Sequence, residues 1–307
     1  MARFTLRQLE CLAMVGQHGS IAAAATALRL SPSAVTGALN ELERILGVQL
    51  TIRRKAHGVS LTPSGRYVVS EARNLLQSAA DLEIMAGEGG KVVRGQVTIG
   101  CYSPLAPTVL TELLDEFGTR FPQVDIDFRA DTQQNIHQLL QAGELDLAIV
   151  YDFGLPDGTE RTLLAATEPT VALPADHRLA SNRSVALAEL VAEPMILLDV
   201  PPSREHTESL FTAAGLVPWI RFRTTDFEVT RSMIARGMGY AILVQRPAAN
   251  LSYEGRELVT RPIHPVARKV RIMLVRGAAV KLSRAAQVMH DLAVELHPEA
   301  EHPGGWQ

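Results

Sequence analysis

The N-terminal part of the chain carries its apolar residues at helical spacings. Leu6, Leu9, Cys11, Leu12, Met14 and Val15 fall on one face of a short amphipathic helix. Ser20 follows as a helix N-cap, because its hydroxyl can accept from the open N–H groups of a first turn. Residues Ile21 to Leu28 are rich in alanine, a strong helix former whose small side chain lets another helix cross closely. Leu30 to Ser33 is a turn and a new helix start, with Ser31 as cap and Pro32 in the first turn. Ala34, Val35, Ala38, Leu39, Leu42 and Ile45 give this third helix its apolar stripe, and Gly47 ends it. Two short helices joined by a tight turn, the second opening with small polar residues, predict a helix-turn-helix. Its second helix would enter the major groove with its N-terminal residues nearest the bases. Residues 50–62 read as two short strands around a basic turn, a wing in which Arg53, Arg54 and Lys55 would neutralise phosphates.

Thr62 and Pro63 then open a longer helix in cap-then-proline order. Val68, Ala72, Leu75, Ala79, Leu82 and Ala86 alternate spacings of four and three, the pattern of a heptad seam, and Val69, Leu76 and Ala80 widen it. Such a stripe is buried either against a second subunit or against its own chain. The glycine-rich stretch Glu88 to Gly95 predicts a hinge into the next domain.

Beyond the hinge, strand and helix patterns alternate, which predicts an α/β sandwich. Val97 to Ile99 reads as a strand ended by Gly100, then a helix over about Pro107–Arg120, a strand over Val124–Phe128, a helix over about Gln133–Ala142 and a buried strand over Leu145–Val150. Met195 to Leu198 is a further strand, one helix ends near Arg236, and a C-terminal helix spans about Ser283–Leu296.

Charge separates the two parts. Residues 1–62 hold seven cations against three anions, a net +4, which leaves −7 for the rest of a chain whose net charge is −3. A basic head on an acidic body predicts that only the head meets a polyanion. No apolar run approaches the roughly 20 residues that span a bilayer, and Met1 to Gln8 contains no apolar signal-peptide core. The two cysteines, Cys11 and Cys101, suggest no disulfide framework, so a cytoplasmic location is expected.

Ser20, Ala24, Ala25, Leu28, Ser31, Ala34, Val35, Thr36, Leu39, Leu42, Glu43, Leu46, Gly47, Leu50 and Arg53, followed by Leu61, Thr62, Pro63 and Gly65, resemble in type and spacing the signature of LysR-type transcription regulators. Ile99-Gly100, Phe121-Pro122, Gly143 with Leu145 to Ile149, and Gly237 with Gly239 to Leu243 resemble that family's effector domain, which is similar to periplasmic solute-binding proteins. The resemblance implies a winged helix-turn-helix over 1–62, a linker and dimerisation helix over 63–88, and a two-lobed α/β effector-binding domain over 92–297. The first lobe would comprise about 92–162 and 268–297, the second about 163–267, with chain crossings near Tyr151–Leu164 and Arg261–Arg271. It further implies double-stranded DNA, a small-molecule effector and a second copy of the chain as partners, with a tetramer built from dimers; RNA polymerase is a further partner it allows.

By match to family positions, Ser31, Pro32, Ser33, Thr36 and Gly37 would lie against DNA, with Asn40 one turn further on. Asparagine can pair with adenine N6 and N7; the alternative for Asn40 is a solvated helix face, and for Arg53 a structural salt bridge. The chain departs from the family in having Pro32-Ser33 for Gln-Pro, Gly37 for an arginine, and Thr51-Ile52 where phenylalanine is common. These departures bear on base readout, since Gly37 has no side chain to read with. In the body, Ser103 and Thr132 match positions where the family contacts its effector. Independently of the resemblance, Pro202, Ser203 and Arg204 begin a helix after a strand, where open N–H groups favour an anion and an arginine can clamp a carboxylate. Phe227, near another helix start, lines the pocket or fills core; Ser103 and Ser203 can also be simple N-caps, and Arg204 an ordinary surface charge.

No Gly-x-Ser-x-Gly, phosphate-loop or Cys-x-x-Cys motif occurs, and nine histidines are scattered without metal spacing, so neither catalysis nor a cofactor or metal is expected. Asp125 and Asp127 share a strand face by simple alternation. The rival reading is a solute-binding or sensor protein whose small-molecule site is its main function; the basic head argues against it.

Overall fold

The computed structural model describes residues 3–54, 58–88, 92–245, 247–278 and 281–298. The head is built from α1 (Leu6–His18), α2 (Ile21–Ala27) and α3 (Pro32–Leu46), then the antiparallel strands β1 (Thr51–Arg54) and β2 (Gly58–Leu61). Each helix begins on a hydroxyl. Thr5 forms a reciprocal capping box with Gln8, Ser20 accepts from the Ala23 N–H, and Ser31 accepts from the Ala34 N–H with Pro32 behind it. Leu9, Leu12, Val15, Ala24, Ala25, Val35, Leu39 and Leu42 close into one core.

The long helix α4 (Pro63–Glu88) packs its N-terminal half onto this core through Val69 and Ala72, with Val68 and Leu76 at the margin. Leu75 and Leu82 remain 48% and 64% exposed. The wide apolar face therefore divides: one flank belongs to the head, and the other stays largely exposed among the described residues. Residues 89–91 of the expected hinge lie outside the described residues.

The body holds a first sheet in the order β4-β3-β5-β13-β6: β3 (Gly95–Tyr102), β4 (Val124–Asp131), β5 (Leu147–Tyr151), β6 (Thr159–Thr167) and β13 (Val270–Gly277). Helices α5 (Thr111–Arg120), α6 (Gln133–Gln141) and α9 (Arg284–Leu296) cover it around Ile99, Phe117, Ile136, Ile149 and Met289. The second lobe pairs β11 (Ala241–Leu243), β7 (Thr170–Pro174), β12 (Leu258–His264) and β8 (Val185–Ala186), and next to them the parallel pair β9 (Pro194–Leu198) and β10 (Trp219–Thr224). Its helices are α7 (Ser203–Ala213) and α8 (Phe227–Ala235).

Three expectations change. Gly100 does not end a strand; β3 runs through it to Tyr102, and a side chain at Gly100 would stand 2.5 Å from Leu145 Cδ1 and 3.1 Å from Ile136. The glycine is there for close helix-on-sheet packing. The segment after β3 is a 3-10 turn (Ser103–Leu105) and a π turn (Ala106–Leu110) before α5 begins at Thr111, so the regular helix starts later than Pro107. The first sheet keeps the chain through β6, past the expected exit at 162, and the outward crossing falls at Glu168 and Pro169. β6 is an edge strand with the mixed polarity that such a position permits, which hides it from a periodicity search.

Candidate DNA interface and effector cleft

The first turns of α3 leave the head as a polar ridge. Ser31, Pro32, Ser33, Gly37 and Asn40 are exposed and Thr36 is half-buried. The ridge is held from behind: Arg7 donates to the Leu28 carbonyl at 3.1 Å, and Arg29 takes up the left-handed turn at φ 54°. Ser31 is occupied as a cap, and its hydroxyl lies 2.9 Å from that of Ser33. The wing is tied to the same helix. Glu43 accepts from the N–H groups of Leu50 and Thr51 and from the Thr51 hydroxyl, at 2.8, 2.9 and 3.0 Å. Arg53, exposed on β1, donates to Asn40 Oδ1 at 2.6 Å. Wing and recognition helix thus present one surface, and the oxygen of Asn40 is engaged by Arg53. Arg54 is placed by its backbone opposite Gly58, and Lys55 lies outside the described residues.

In the body, β3, β4 and β5 run parallel, and their C-terminal ends open where an α/β crevice forms. Tyr102, at the end of β3, faces Ser203 at the start of α7 in the other lobe, with 3.1 Å between the oxygens. Burial raises the pKa of the Tyr102 phenol, partly offset by the Ser203 bond, and raises that of the fully enclosed Tyr151 phenol as well, so both stay protonated. Gln245 donates to the Tyr151 hydroxyl at 3.0 Å and accepts from Thr108 at 3.3 Å. Gln133, one residue into α6, bonds the backbone of Tyr151 twice and the Phe153 carbonyl once. Thr132 caps α6 through the Asn135 N–H and remains exposed. Helix α7 begins without any side-chain cap.

Both cysteines are buried. Desolvation pushes the Cys101 thiol far above its ordinary range and raises Cys11 also. Among the described residues no cluster of three or more His, Cys, Asp or Glu is arranged to hold a metal ion, and no helix is long and apolar enough to cross a membrane.

Residues 90–297 match the family model described as the LysR substrate binding domain, and residues 6–66 match the bacterial regulatory helix-turn-helix protein, lysR family. The chain belongs to the LysR family. It is a LysR-type DNA-binding transcription regulator with an effector-binding domain. Among solved structures it is similar to HinK, a LysR family transcriptional regulator of Pseudomonas aeruginosa, at 33% identity over 98% of this chain and 99% of that one, TM-score 0.64. A cysteine-substituted full-length OxyR of the same organism shares the fold at TM-score 0.77 and 21% identity, covering all of both chains. Among curated proteins, the hydrogen peroxide-inducible genes activator of Escherichia coli O6:H1 is 30% identical over 78% of each chain.

Within this LysR regulator the cleft brings together some of the expected residues. Ser203 is not a cap, since its hydroxyl crosses to Tyr102. Ser103 is exposed at the start of the 3-10 turn, where no side chain caps either. Pro202, joined to Pro201 by a cis peptide bond, is the N-cap residue of α7. Arg204 is already neutralised: it donates to Asp199 at 3.0 Å and Glu205 at 2.7 Å, while Arg223 holds the other Asp199 oxygen at 3.1 Å. Phe227 packs against the second lobe's core beside Ala172, Ile196 and Ile234, and beneath Arg231 at 5.9 Å. Tyr102, Gln133, Tyr151 and Gln245 were missed as cleft residues. Two of them, Tyr102 and Tyr151, terminate parallel strands, and that position is the signal that would have found them.

Proposed function

We propose that the regulator contacts DNA through Ser31, Pro32, Ser33, Thr36, Gly37 and Asn40 on α3 and through Arg53, Arg54 and Lys55 of the wing. The observation that carries this reading is the single exposed surface formed by α3 and β1, held together by Arg53 on Asn40 and by Glu43 on Thr51. Arg53 supplies a phosphate contact and Asn40 an adenine contact once their mutual bond is exchanged. Fluorescence anisotropy of the full chain on the DNA upstream of its own gene, against a scrambled duplex and across a salt series, tests it. The expected result is preference for the native duplex and a steep loss with salt; Arg53→Ala weakens both duplexes alike and lowers the salt slope by about 0.9, one phosphate's worth. Equal affinity for the two duplexes in every form of the protein refutes the reading.

The effector site is the cleft around Ser103, Thr132, Pro202 and Ser203, with Phe227 closing one side, and its effector is a small carboxylate-like anion. The support is a helix start at α7 with no side-chain cap, where Ser203 meets Tyr102; Ser103 and Thr132 follow the paired strand ends Tyr102 and Asp131. Arg204 favours the anion only through its field, since two carboxylates hold its guanidinium. Calorimetric titration with a panel of small carboxylates tests this, and binding confined to neutral or cationic compounds refutes it. Hydrogen peroxide, named in several relatives, is not carried over: thiol sensing needs an accessible thiolate, and Cys11 and Cys101 are buried with raised pKa values. The exposed flank of α4 is a self-association surface through which two copies pair, with a tetramer of such dimers as the larger assembly.

A further inference from the structure

A cavity of about 730 Å³ lies between α7 and the segment that returns the chain to the first lobe, a volume within the range of small-molecule sites. It is separate from the cleft; Ser103, Thr132, Pro202 and Ser203 take no part in its lining. Leu210, Leu216, Ile263 and the Phe153 ring give it an apolar wall, and Arg268, Lys269 and Arg271 stand along its edge.

Two polar features of this wall are unexplained by the fold. His206, which lines the cavity, is only 9% exposed, and its buried Nε2 has no hydrogen-bond partner among the described residues. Buried polar atoms are nearly always bonded, so an orphan one beside a cavity marks a missing partner. Burial also holds this imidazole neutral by lowering its pKa. The second feature is Arg268. Lys269 and Arg271 have carboxylate neighbours, Glu168 at 3.7 Å and Asp152 at 3.8 Å, whereas Arg268 is exposed and forms no ion pair among the described residues.

We propose that this hinge cavity is a second small-molecule site, which takes an organic carboxylate with a hydrocarbon body. The carboxylate pairs with Arg268, the body lies against Leu210, Leu216 and Ile263, and His206 offers a hydrogen bond that the wall leaves unmade. The site reports to the cleft by two routes. Helix α7 carries Ser203 at its first turn and His206 in the cavity wall one turn on. The rings of Tyr102, Tyr151, Phe153 and His206 also follow one another at 5.5, 6.4 and 5.3 Å, from the cross-lobe contact to the cavity. A molecule wedged beside α7 therefore bears on the Tyr102–Ser203 contact.

The proposal does not depend on the cleft's effector and is tested by direct binding. Full-length protein is titrated calorimetrically with octanoate, and with octylammonium as the probe of opposite charge. One octanoate per chain and no saturable octylammonium binding are expected. Arg268→Gln weakens octanoate about tenfold, the loss of one charge-assisted contact of about 1.4 kcal/mol. Ala213→Trp, an exposed position on the cavity wall, abolishes binding by filling the mouth, and Ser203→Ala, in the cleft, keeps it, with affinity moved by no more than the roughly fivefold carried by the Tyr102–Ser203 bond. Absence of octanoate binding, equal affinity for octylammonium, or full octanoate binding by both Arg268→Gln and Ala213→Trp overturns the proposal. So does loss of binding in a folded Ser203→Ala. If Ala213→Trp fails to give the wild-type melting curve, Arg268→Gln decides by the octanoate-to-octylammonium ratio.

Discussion

Glycines divide this chain's signature into positions that serve the fold and positions that are free. A Cβ at Gly65 would sit 2.0 Å from the Leu50 carbonyl oxygen, because the first turn of α4 passes directly over the start of β1, where Thr62 N–H also bonds that oxygen at 3.0 Å. Gly37 has nothing within 4 Å of the same test position and lies in the middle of α3. The two substitutions to alanine should therefore act in opposite directions. Gly65→Ala destabilises the head by about 1–3 kcal/mol, as overpacking does, whereas Gly37→Ala stabilises it by roughly 0.5–1 kcal/mol by removing a helix-interior glycine. Denaturant melts of the two variants check this. If α3 lies against DNA, Gly37→Ala also changes DNA affinity while its stability rises, and a gain of stability with unaltered binding places that turn away from the duplex. The type and spacing of these glycines were legible in the sequence, but the contact that forces Gly65 was not, since it joins residues from different elements.

At the level of elements, what could be read was what local chemistry dictates. The caps read at Ser20 and Ser31 stand where hydroxyls precede apolar periodicity, and each accepts from the N–H three residues on; Thr132 and Ser283, not read as caps, do the same. β6, at the edge of the first sheet, and β10 and β12, in the second lobe, were not legible, because all three are of mixed polarity and pair with strands distant in sequence. The heptad seam of α4 was legible as a stripe and not as a division of labour. Its Val69 and Ala72 serve the head, while Leu75 and Leu82 face outward. An exposed leucine row of that kind marks a surface for association. Leu75→Asp with Leu82→Asp should leave the melting of the head nearly unchanged, since neither side chain is in its core, and should convert the protein to monomers in sedimentation equilibrium. Persistence of the dimer in that variant moves the self-association surface elsewhere.

Across the whole molecule, the head, the linker helix and the two lobes are connected by a few polar contacts. Arg73 on α4 donates to the Ala142 carbonyl at the end of α6, at 2.6 Å, and its charge faces the half-buried Asp146, whose carboxylate accepts from the Thr98 N–H at 2.8 Å. Further along the same sheet Tyr102 reaches Ser203, so this arrangement of the lobes includes a direct bond between two neutral hydroxyls. A bond of that type contributes about 1 kcal/mol net, enough to shift a two-state ratio roughly fivefold and no more. It suits a device that an effector must be able to reset, because a ligand moves such an equilibrium only by its differential affinity for the two states. Tyr102→Phe keeps the ring and its 5.5 Å contact with Tyr151 but removes the bond. Single-molecule energy transfer between dyes on the two lobes should then show the closed population of ligand-free protein reduced about fivefold relative to the open one. Ser203→Ala should give the same shift, and the double variant no more than either alone, since one bond cannot be lost twice. Unchanged transfer efficiencies in all three would mean that the two crossing segments, at 168–169 and 265–269, fix the lobes by themselves. In that case the effector's message to the DNA-binding head has to travel through α4 and Arg73 and not through lobe closure.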